Sequence, residues 1–307
     1  MKDSQDTLIG TVQQLIWAKE EERKVFEDAG IKIFPCNFYS SVPSIAEIEN
    51  SFEYSSDQPP YAESSIFGLP DTSRELLELL TSYSSEFEPA DEGSEESPIG
   101  YFWKNSQFSH SDAMSYYAML RHLKPNRVVE IGAGFSTLVA IDAISRNGTG
   151  EITCVEPFPR AFLEKSEKIN LKKISAQEIT VEWLNNYLND GDVLFIDSTH
   201  TVKTGSDCLH IYLRLLPYLK HDVYVHVHDV FLPFGLPKNW LLDHHIYWTE
   251  QYLLLALLSD NPKTTFLFGS SYHEWANAEL LRKFMHKRAS SGGGSFWFRY
   301  CATRILC

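Results

Sequence analysis

The spacing of hydrophobic positions along the chain changes near residue 110. Before that point it is mainly helical: apolar residues recur at helical spacing between residues 8 and 16, and Gly30 follows as a helix stop. A second front helix is predicted to open at Asp71. The front part is therefore interpreted as an accessory layer of helices around a short extended stretch at residues 31–35.

A strongly acidic stretch separates the front part from the rest. No basic residue occurs between Arg74 and Lys104, and six acids cluster at residues 86–96 together with Pro, Gly and Ser. This composition is typical of a solvated, mobile linker, although an acidic lid or a partner-binding segment would share it. We predict an N-terminal accessory or lid segment at residues 1–85, an acidic linker at 86–100 and a main domain at 101–307.

After residue 110, short apolar runs alternate with helical patterns. Each run has the length and composition of a buried strand, and the helix after the fourth run places Leu209, Leu213 and Leu216 on one face. This alternation predicts a doubly wound α/β fold with a mainly parallel seven-stranded sheet, the final pair antiparallel at one edge. The strands are expected at residues 127–132, 151–156, near Ile174, 192–197, 223–228, 264–268 and 295–300.

Composition argues against several classes of protein. The 307 residues carry a formal net charge of −14 without a dense basic patch, which argues against nucleic acid as a partner. The longest apolar run, residues 253–258, is too short to cross a membrane, and the first ten residues lack a secretory pattern. The scattered cysteines form no Cys-x-x-Cys, so we expect reduced thiols and a cytoplasmic location. They are Cys36, Cys154, Cys208, Cys301 and Cys307.

A glycine-containing turn follows the first predicted strand. Gly132 and Gly134 lack side chains, so backbone N–H groups there can approach a ligand closely. Thr137 replaces the third glycine of the motif Gly-x-Gly-x-x-Gly, and no Gly-Lys-Ser/Thr follows as in a P-loop. Glu156 ends the second predicted strand, where it is placed to accept hydrogen bonds from both ribose hydroxyls of an adenosine-containing cofactor. This order of elements predicts a nucleoside-cofactor site.

The residues around the turn resemble a known family. Residues 128–137, VVEIGAGFST, resemble the first signature of class I S-adenosylmethionine-dependent methyltransferases. The resemblance covers most of residues 30–300 and extends to a bacterial branch related to small-molecule and sugar O-methyltransferases of natural-product pathways. Residues 38–43 resemble the front segment of that branch, although family members often have proline where this chain has Ser41. Further matching segments are residues 155–157, 194–200, 225–234, 248–254 and 294–299.

The resemblance implies a role for each residue that matches the family's cofactor site. Asp197 would lie beside the methionine amine of the cofactor or beside a metal. From its position alone, Glu130 has a second interpretation as an acid that caps amides at a strand end. The implied cofactor-binding residues are Glu130, Gly132, Ala133, Gly134 and Asp197 toward the methionine portion, Glu156 at the ribose, Gln177 or Glu178 near the adenine, Asn105 with Asp112 closing over the cofactor, and Ser136 in the same turn with no portion of the cofactor assigned to it.

Methyl transfer to a hydroxyl requires removal of the acceptor's proton before or during attack. A histidine that is largely neutral at pH 7 would serve as base, and His228 and His200 follow the fifth and fourth predicted strands. A divalent cation at Asp197, His228 and Asp229 is the alternative, because it would lower the pKa of the acceptor. One imidazole in place of an oxygen ligand is unfavourable for magnesium, so we favour the metal-free base. The predicted catalytic residues are His228, His200 and Asp229.

Two further features near the predicted site each have two interpretations. His226 and His228 share one face of a strand, which suggests zinc, but a buried, hydrogen-bonded His226 is favoured since no standard ligand spacing completes a site. The loop after the fifth strand would either roof an acceptor pocket or pack as an insertion. Its aromatic residues are Phe231, Phe234, Trp240, Tyr247 and Trp248.

The sequence thus predicts a methyltransferase of EC type 2.1.1 that uses S-adenosylmethionine, with or without a divalent cation. Its partner would be a small-molecule acceptor, and whether the chain forms a homo-oligomer is open. An NAD-dependent Rossmann oxidoreductase is the enzymatic alternative, against which the missing third glycine counts. A non-catalytic cofactor-binding protein of the same fold is the alternative from another class.

Overall fold

The computed structural model describes residues 2–108, 110–286, 288 and 293–302, and no side chain of residues 2–4. The chain divides into two compact units, one ending at Ser51 and one beginning at Phe52. The predicted boundary at residue 85 differs because residues 52–85 belong to the larger unit. Cys307 and the end of the predicted main domain lie outside the described residues. An accessory or lid role for the front segment stays a prediction.

The first unit is built from short helices. At the start of its third helix, Ser44 Oγ accepts a hydrogen bond from the Glu47 amide, and the Glu47 carboxylate accepts one from the Ser44 amide. This reciprocal pair satisfies backbone donors that the helix itself cannot. The expected helix stop at Gly30 has the left-handed backbone, with φ +77°. The helices are α1 (Lys2–Ile16), α2 (Glu20–Asp28) and α3 (Ile45–Glu49).

Within the described residues, seven strands form a single sheet in the order β3-β2-β1-β4-β5-β7-β6. The first five strands pair in parallel, and β7 pairs antiparallel with both β5 and β6. The predicted doubly wound fold is confirmed. The final pair, β6 and β7, is antiparallel and lies at one edge of the sheet, as predicted, and β7 alone runs against the other described strands. The strands are β1 (Arg127–Ile131), β2 (Glu151–Val155), β3 (Asn170–Lys172), β4 (Val193–Ile196), β5 (Val223–Val227), β6 (Thr264–Gly269) and β7 (Phe296–Tyr300).

Helices cover both faces of the sheet, so successive residues of a central strand are all buried. In β1, Val128 belongs to one hydrophobic cluster and Val129 to the other. This explains the continuous apolar runs, which are typical of parallel strands buried on both sides. No helix in the described part of the chain is both long and apolar enough to cross a bilayer. The helices of this unit are α4 (Pro70–Ser84), α5 (His110–Leu123), α6 (Phe135–Asn147), α7 (Ala161–Glu164), α8 (Val181–Tyr187), α9 (Asp207–His210), α10 (Lys238–Leu242), α11 (Glu250–Leu258), α12 (Ser270–Ala276) and α13 (Ala278–Phe284).

The acidic stretch at residues 86–100 belongs to the larger unit and is packed within it. Phe87 is buried and stacks on Tyr117 with ring centroids 4.4 Å apart. Ala90 forms a bridge with Phe102, and Arg288 pairs with Asp91 at 3.0 Å. The segment therefore packs on α5 through an aromatic side chain that its acidic composition does not reveal.

The chain after β4 departs from α-helical geometry. Helix α9 continues as a π-helical segment, Ile211–Leu215, and then as a 3-10 turn, Leu216–Tyr218. Leu209, Leu213 and Leu216, which were predicted to lie on one face, differ in exposure: Leu213 is 47% exposed while Leu216 is buried. A π turn adds a residue to the helical repeat, so side chains beyond it rotate to another face.

His273 on α12 is a buried imidazole held in its neutral form. Ser73 Oγ donates to the Leu267 carbonyl, so it accepts from His273 Nε2 at 3.0 Å, and the Asn277 amide lies 3.1 Å from His273 Nδ1. Burial lowers the pKa of His273 to about 3. In this arrangement Nε2 of His273 donates a hydrogen bond and Nδ1 accepts one. A second proton, on Nδ1, would point at the N–H group of the Asn277 amide.

The contribution of residue 273 to stability is therefore expected to become less favourable in mild acid. Below pH 6.5 the unfolded chain takes up a proton at residue 273 that the folded chain does not, so acid favours unfolding. We expect this residue to cost about 2 kcal/mol of stability between pH 7 and pH 5. Urea unfolding of the wild type and His273→Leu over this range measures the difference. An equal pH slope in both proteins would contradict a neutral His273 in the fold.

Candidate active site

The turn after β1 makes a close backbone contact with the end of β4. Gly132 has φ +87°, and a Cβ added there would lie 1.8 Å from the carbonyl oxygen of Asp197. The Asp197 amide donates to the Ile131 carbonyl at 2.8 Å, and the Gly132 amide donates to the Val155 carbonyl at 3.0 Å. Only glycine satisfies both the left-handed backbone and this approach. The turn is thus fixed against β2 and β4.

Glu130 lies in the core beneath the turn. Its carboxylate accepts hydrogen bonds from the hydroxyls of Tyr116, at 2.8 Å, and Thr137, at 2.6 Å. Burial raises the pKa of Glu130 to about 7, although hydrogen bonds from Thr137, Tyr116 and Cys154 oppose that rise. These contacts tie β1 to α5 and α6, which supports a role in holding the turn. Contact of Glu130 with a cofactor stays a prediction.

Glu156 stands at the carboxyl end of β2 and holds the turn from the other side. Its two carboxylate oxygens accept from the Ala133 amide at 3.3 Å and the Phe158 amide at 2.9 Å. A carboxylate has about four acceptor positions, so two remain for hydroxyl donors. No atom lies within 4 Å of a Cβ built on Gly134, which leaves open space beside the turn. The half-buried Glu156 carboxylate and the open space beside Gly134, which we call the Gly134 cradle, fit a ribose-containing ligand.

The structure also places three other predicted cofactor residues. Gln177 is exposed and donates from Nε2 to the Gly205 carbonyl at 3.1 Å. Asn105 Nδ2 donates to the Phe102 and Phe108 carbonyls, so this side chain organises its own turn. Ser136 is buried in the first turn of α6. Their contacts with a cofactor stay predictions.

Two histidines and several acids meet at the carboxyl ends of β4 and β5. His200 Nε2 lies 3.2 Å from Asp197 Oδ1 and 3.6 Å from Asp229 Oδ2, and its Nδ1 lies 2.7 Å from Glu250 Oε2. His228 Nδ1 lies 3.4 Å from Asp197 Oδ1 and 3.5 Å from Asp229 Oδ2. The structure therefore brings the three predicted catalytic residues together. We call this group, with Asp112, the acid–histidine cluster.

Asp112, on α5, closes the cluster from the opposite side. Its Oδ2 lies 3.4 Å from His228 Nε2, and its Oδ1 accepts from the Ser295 amide at 2.7 Å. His200 and Asp229 both have left-handed backbones, with φ +57°. Non-glycine residues in this region are uncommon and concentrate at functional sites, where surrounding contacts impose them.

The cluster keeps both imidazoles charged near neutral pH. Burial opposes charge on His200, but hydrogen bonds to Asp197 and Glu250 outweigh it and raise the pKa of His200 to about 10. Burial also opposes charge on His228, yet the carboxylates of Asp229 and Asp197 raise its pKa well above the usual value. The prediction of a largely neutral histidine at pH 7 is therefore wrong for this cluster. The reason is that several carboxyl groups surround the two histidines, and this proximity could not be predicted from the sequence.

The pKa values of Asp197 and Asp229 are shifted in opposite directions. Burial would raise the pKa of Asp197, but His228 and His200 outweigh it and hold the pKa well below its usual range. Burial dominates at Asp229 and raises its pKa, although His228 and His200 oppose the rise. Asp229 is thus the stronger base of the two.

A metal-compatible donor set lies in the same place. Asp197, His200 and Asp229 each offer a ligand atom, and these atoms all lie within 4.8 Å of one another. The predicted set had His228 instead of His200, and His228 also lies beside both aspartates. Two carboxylates and an imidazole can ligate a divalent ion. Occupancy by a cation stays a prediction.

The cluster opens into a cleft of about 540 Å³. Asp112, Asp197, His228 and Asp229 line one part of it, and aromatic rings from the loop after β5 line another. Trp240 packs edge-on against Phe231 and Trp248 with centroids 5.1 and 5.4 Å apart. The aromatic loop therefore contributes three of its five aromatic residues to the wall of the cleft, and its role as the roof of an acceptor pocket stays a prediction. The lining aromatic residues are Phe231, Trp240 and Trp248.

His226 has a structural role, and Glu250 was not recognised in the sequence. His226 is fully buried, bonds through Nε2 to Ser295 Oγ at 2.8 Å and stacks on Trp297. This confirms the buried interpretation. Glu250, the first residue of α11, contacts His200 across 50 positions of sequence. An acid in the first turn of a helix usually serves the helix dipole, so its position alone gives no sign of this contact, although Glu250 lies in the segment 248–254 that resembles the family.

Comparisons with known proteins agree with this geometry. A family model described as a methyltransferase domain matches residues 129–230. An uncharacterised protein of Archaeoglobus fulgidus is 32% identical over 169 residues, which are 52% of this chain and 72% of that protein.

Solved structures also resemble the chain. The O-methyltransferase TomG from Streptomyces achromogenes, involved in Tomaymycin synthesis and solved with SAM, is 14% identical, with a TM-score of 0.39 over 74% of this chain and 89% of that one. The SAH-bound methyltransferase PaMTH1 of Podospora anserina is 18% identical, with a TM-score of 0.40 over 74% of this chain and 88% of that one.

The sheet order, the turn at Gly132 and the matching family model define a methyltransferase domain. The chain belongs to the class I S-adenosylmethionine-dependent methyltransferases. An NAD-dependent oxidoreductase is not favoured.

Alanine substitutions at Gly132 and Gly134 are expected to affect different properties, the first mainly the stability of the fold and the second mainly the affinity for the cofactor. Gly132→Ala places a Cβ against the Asp197 carbonyl, so we expect a loss of several kcal/mol of stability, measured by urea unfolding. Gly134→Ala meets no atom of the chain, so stability should change by less than about 1 kcal/mol while affinity for S-adenosylhomocysteine falls. Equal effects of the two substitutions on stability would contradict this account of the turn.

Proposed function

We propose that the protein transfers the methyl group of S-adenosylmethionine to a hydroxyl of a small metabolite. The observation that carries the proposal is the position of Asp197. Its backbone carbonyl packs on Gly132 of the cofactor turn, and its side chain belongs to the acid–histidine cluster in the cleft. A cleft of about 540 Å³ is in the range of small-molecule sites, which supports a metabolite as acceptor.

The residues around the turn would hold the cofactor. Glu156 has free acceptor positions for ribose hydroxyls, and the Gly134 cradle admits the amino-acid portion without a steric clash. When bound, the cofactor supplies a methyl group activated by a positive sulfur. A natural-product acceptor and a cytoplasmic location stay predictions.

Within the cluster, Asp229 is the group best suited to receive the acceptor's proton. It lines the cleft, and burial raises its pKa, so it is a stronger base than an ordinary aspartate. Both imidazoles hold protons near neutral pH and would stabilise the negative charge of the aspartates. Although both imidazolium groups lower the basicity of Asp229, His228 lines the cleft, where it would assist deprotonation by stabilising the negative charge that develops on the acceptor oxygen, and His200 would hold Asp197 and Asp229 in place. A divalent cation at Asp197, His200 and Asp229 is the second route.

Cofactor binding is tested by calorimetry. We expect the wild type to bind S-adenosylhomocysteine and not NAD, and Glu156→Ala to weaken that binding at least about tenfold, because the ribose loses its acceptor. Glu151→Ala, at the other end of the same strand, serves as the control and should bind like the wild type. Binding of NAD in place of S-adenosylhomocysteine would overturn the proposal.

Proton removal is tested by turnover of S-adenosylmethionine with a hydroxyl-bearing acceptor. Asp229→Asn should lower kcat by about 100-fold or more, since the amide cannot take up the proton, and should leave affinity for S-adenosylhomocysteine nearly unchanged. Dialysis against EDTA separates the two routes: unchanged kcat excludes the metal, and restoration by added Mg²⁺ or Mn²⁺ supports it. Full activity of Asp229→Asn would remove Asp229 from the mechanism.

A further inference from the structure

Glu250 and His200 form a buried pair next to Asp197 and Asp229, which line the cleft. Glu250 is 1% exposed and His200 is 5% exposed. Glu250 Oε2 accepts from His200 Nδ1 at 2.7 Å, and its other oxygen accepts from the Tyr212 hydroxyl at 2.7 Å. A buried carboxylate whose oxygens both accept hydrogen bonds has a fixed orientation, so it can in turn fix its partner ring.

The backbone around His200 is attached to the same helix start. The His200 carbonyl accepts from the amides of Thr249 and Glu250 at 2.9 and 3.1 Å. The Val202 amide donates to Thr249 Oγ1 at 2.7 Å. These bonds hold His200 in its left-handed conformation, which an isolated histidine rarely adopts. Main chain and side chain of His200 thus depend on the first residues of α11.

Tyr212 completes the arrangement from the irregular helix after β4. It lies within the π-helical segment Ile211–Leu215 and is fully buried. Single π turns are rare in proteins, and those that occur are often found at functional sites. Here the segment carries the tyrosine whose hydroxyl reaches Glu250, and Tyr212, Glu250 and His200 form one continuous hydrogen-bonded chain.

We propose that Glu250 is a positioning residue of the methyl-transfer site and acts through His200; this inference rests on the proposed function above. A buried imidazole has two ring orientations of similar shape, and only one of them places Nε2 toward Asp197 and Asp229. The bond from Nδ1 to Glu250 selects that orientation. Without it, a ring carbon would face the two aspartates in part of the molecules.

The ring orientation is measured directly by NMR on protein labelled with ¹⁵N-histidine. An imidazole N–H that donates to a buried carboxylate forms a short, charge-assisted bond, and we expect its proton downfield of the amide region. His200→Gln assigns the signal by removing it. Glu250→Gln should shift or broaden the His200 signal, and Tyr212→Phe should shift it less, because the His200–Glu250 bond remains.

Kinetics of the same variants test the consequence. Glu250→Gln should lower kcat by about tenfold or more while KM for S-adenosylmethionine stays within about threefold, as expected for a residue that orients a site residue. Asp192→Asn is the matched control, since Asp192 is a buried carboxylate that accepts from the Arg127 and Asn189 amides at the opposite end of β4. It should lower stability and leave the His200 signal and kcat unchanged.

The outcomes separate the two proposals. An unchanged His200 signal and kcat in Glu250→Gln would overturn the positioning role, even if the wild type binds S-adenosylhomocysteine. Equal loss of kcat in Asp192→Asn and Glu250→Gln would also overturn it, because the effect would then follow stability. Absence of cofactor binding by the wild type would instead contradict the proposed function. In that case the His200 NMR signal in Glu250→Gln would still show whether Glu250 orients the His200 ring.

Discussion

The approach of the Asp197 carbonyl to Gly132 is the contact on which the site depends. A side chain at residue 132 would occupy the position of that carbonyl, so strands β1 and β4 can end side by side only with glycine there. The same residue, Asp197, then directs its carboxylate into the acid–histidine cluster. A backbone constraint in the cofactor turn therefore sets the distance between that turn and the groups that would act on an acceptor.

The second constraint is electrostatic. Two buried imidazoles share a small volume with Asp112, Asp197, Asp229 and Glu250, and each ring lies near more than one carboxyl group. Burial alone would remove the charge from the rings, but the carboxyl groups reverse that effect. The histidines are thus charged hydrogen-bond partners of the aspartates. Of the two aspartates, Asp229 is the one whose pKa is raised.

The sequence predicts the fold well because its signals are local. Apolar runs such as residues 193–196 mark strands buried on both faces, and the order of strand, Gly132–Gly134 turn, helix and Glu156 places the cofactor turn. The arrangement after β4 could not be predicted in this way. The π turn that contains Tyr212 and the contact of Glu250 with His200 depend on packing between distant segments. The charge state of the histidines depends on the same proximity.

The central claim is that the glycine turn, Glu156 and the acid–histidine cluster form one site. The most direct measurement is a crystal structure of the protein with S-adenosylhomocysteine. We expect the ribose at Glu156, the amino-acid portion along Gly132–Gly134, and the sulfur facing the cleft lined by His228 and Asp229. A ligand bound elsewhere, or with its sulfur directed away from that cleft, would contradict it.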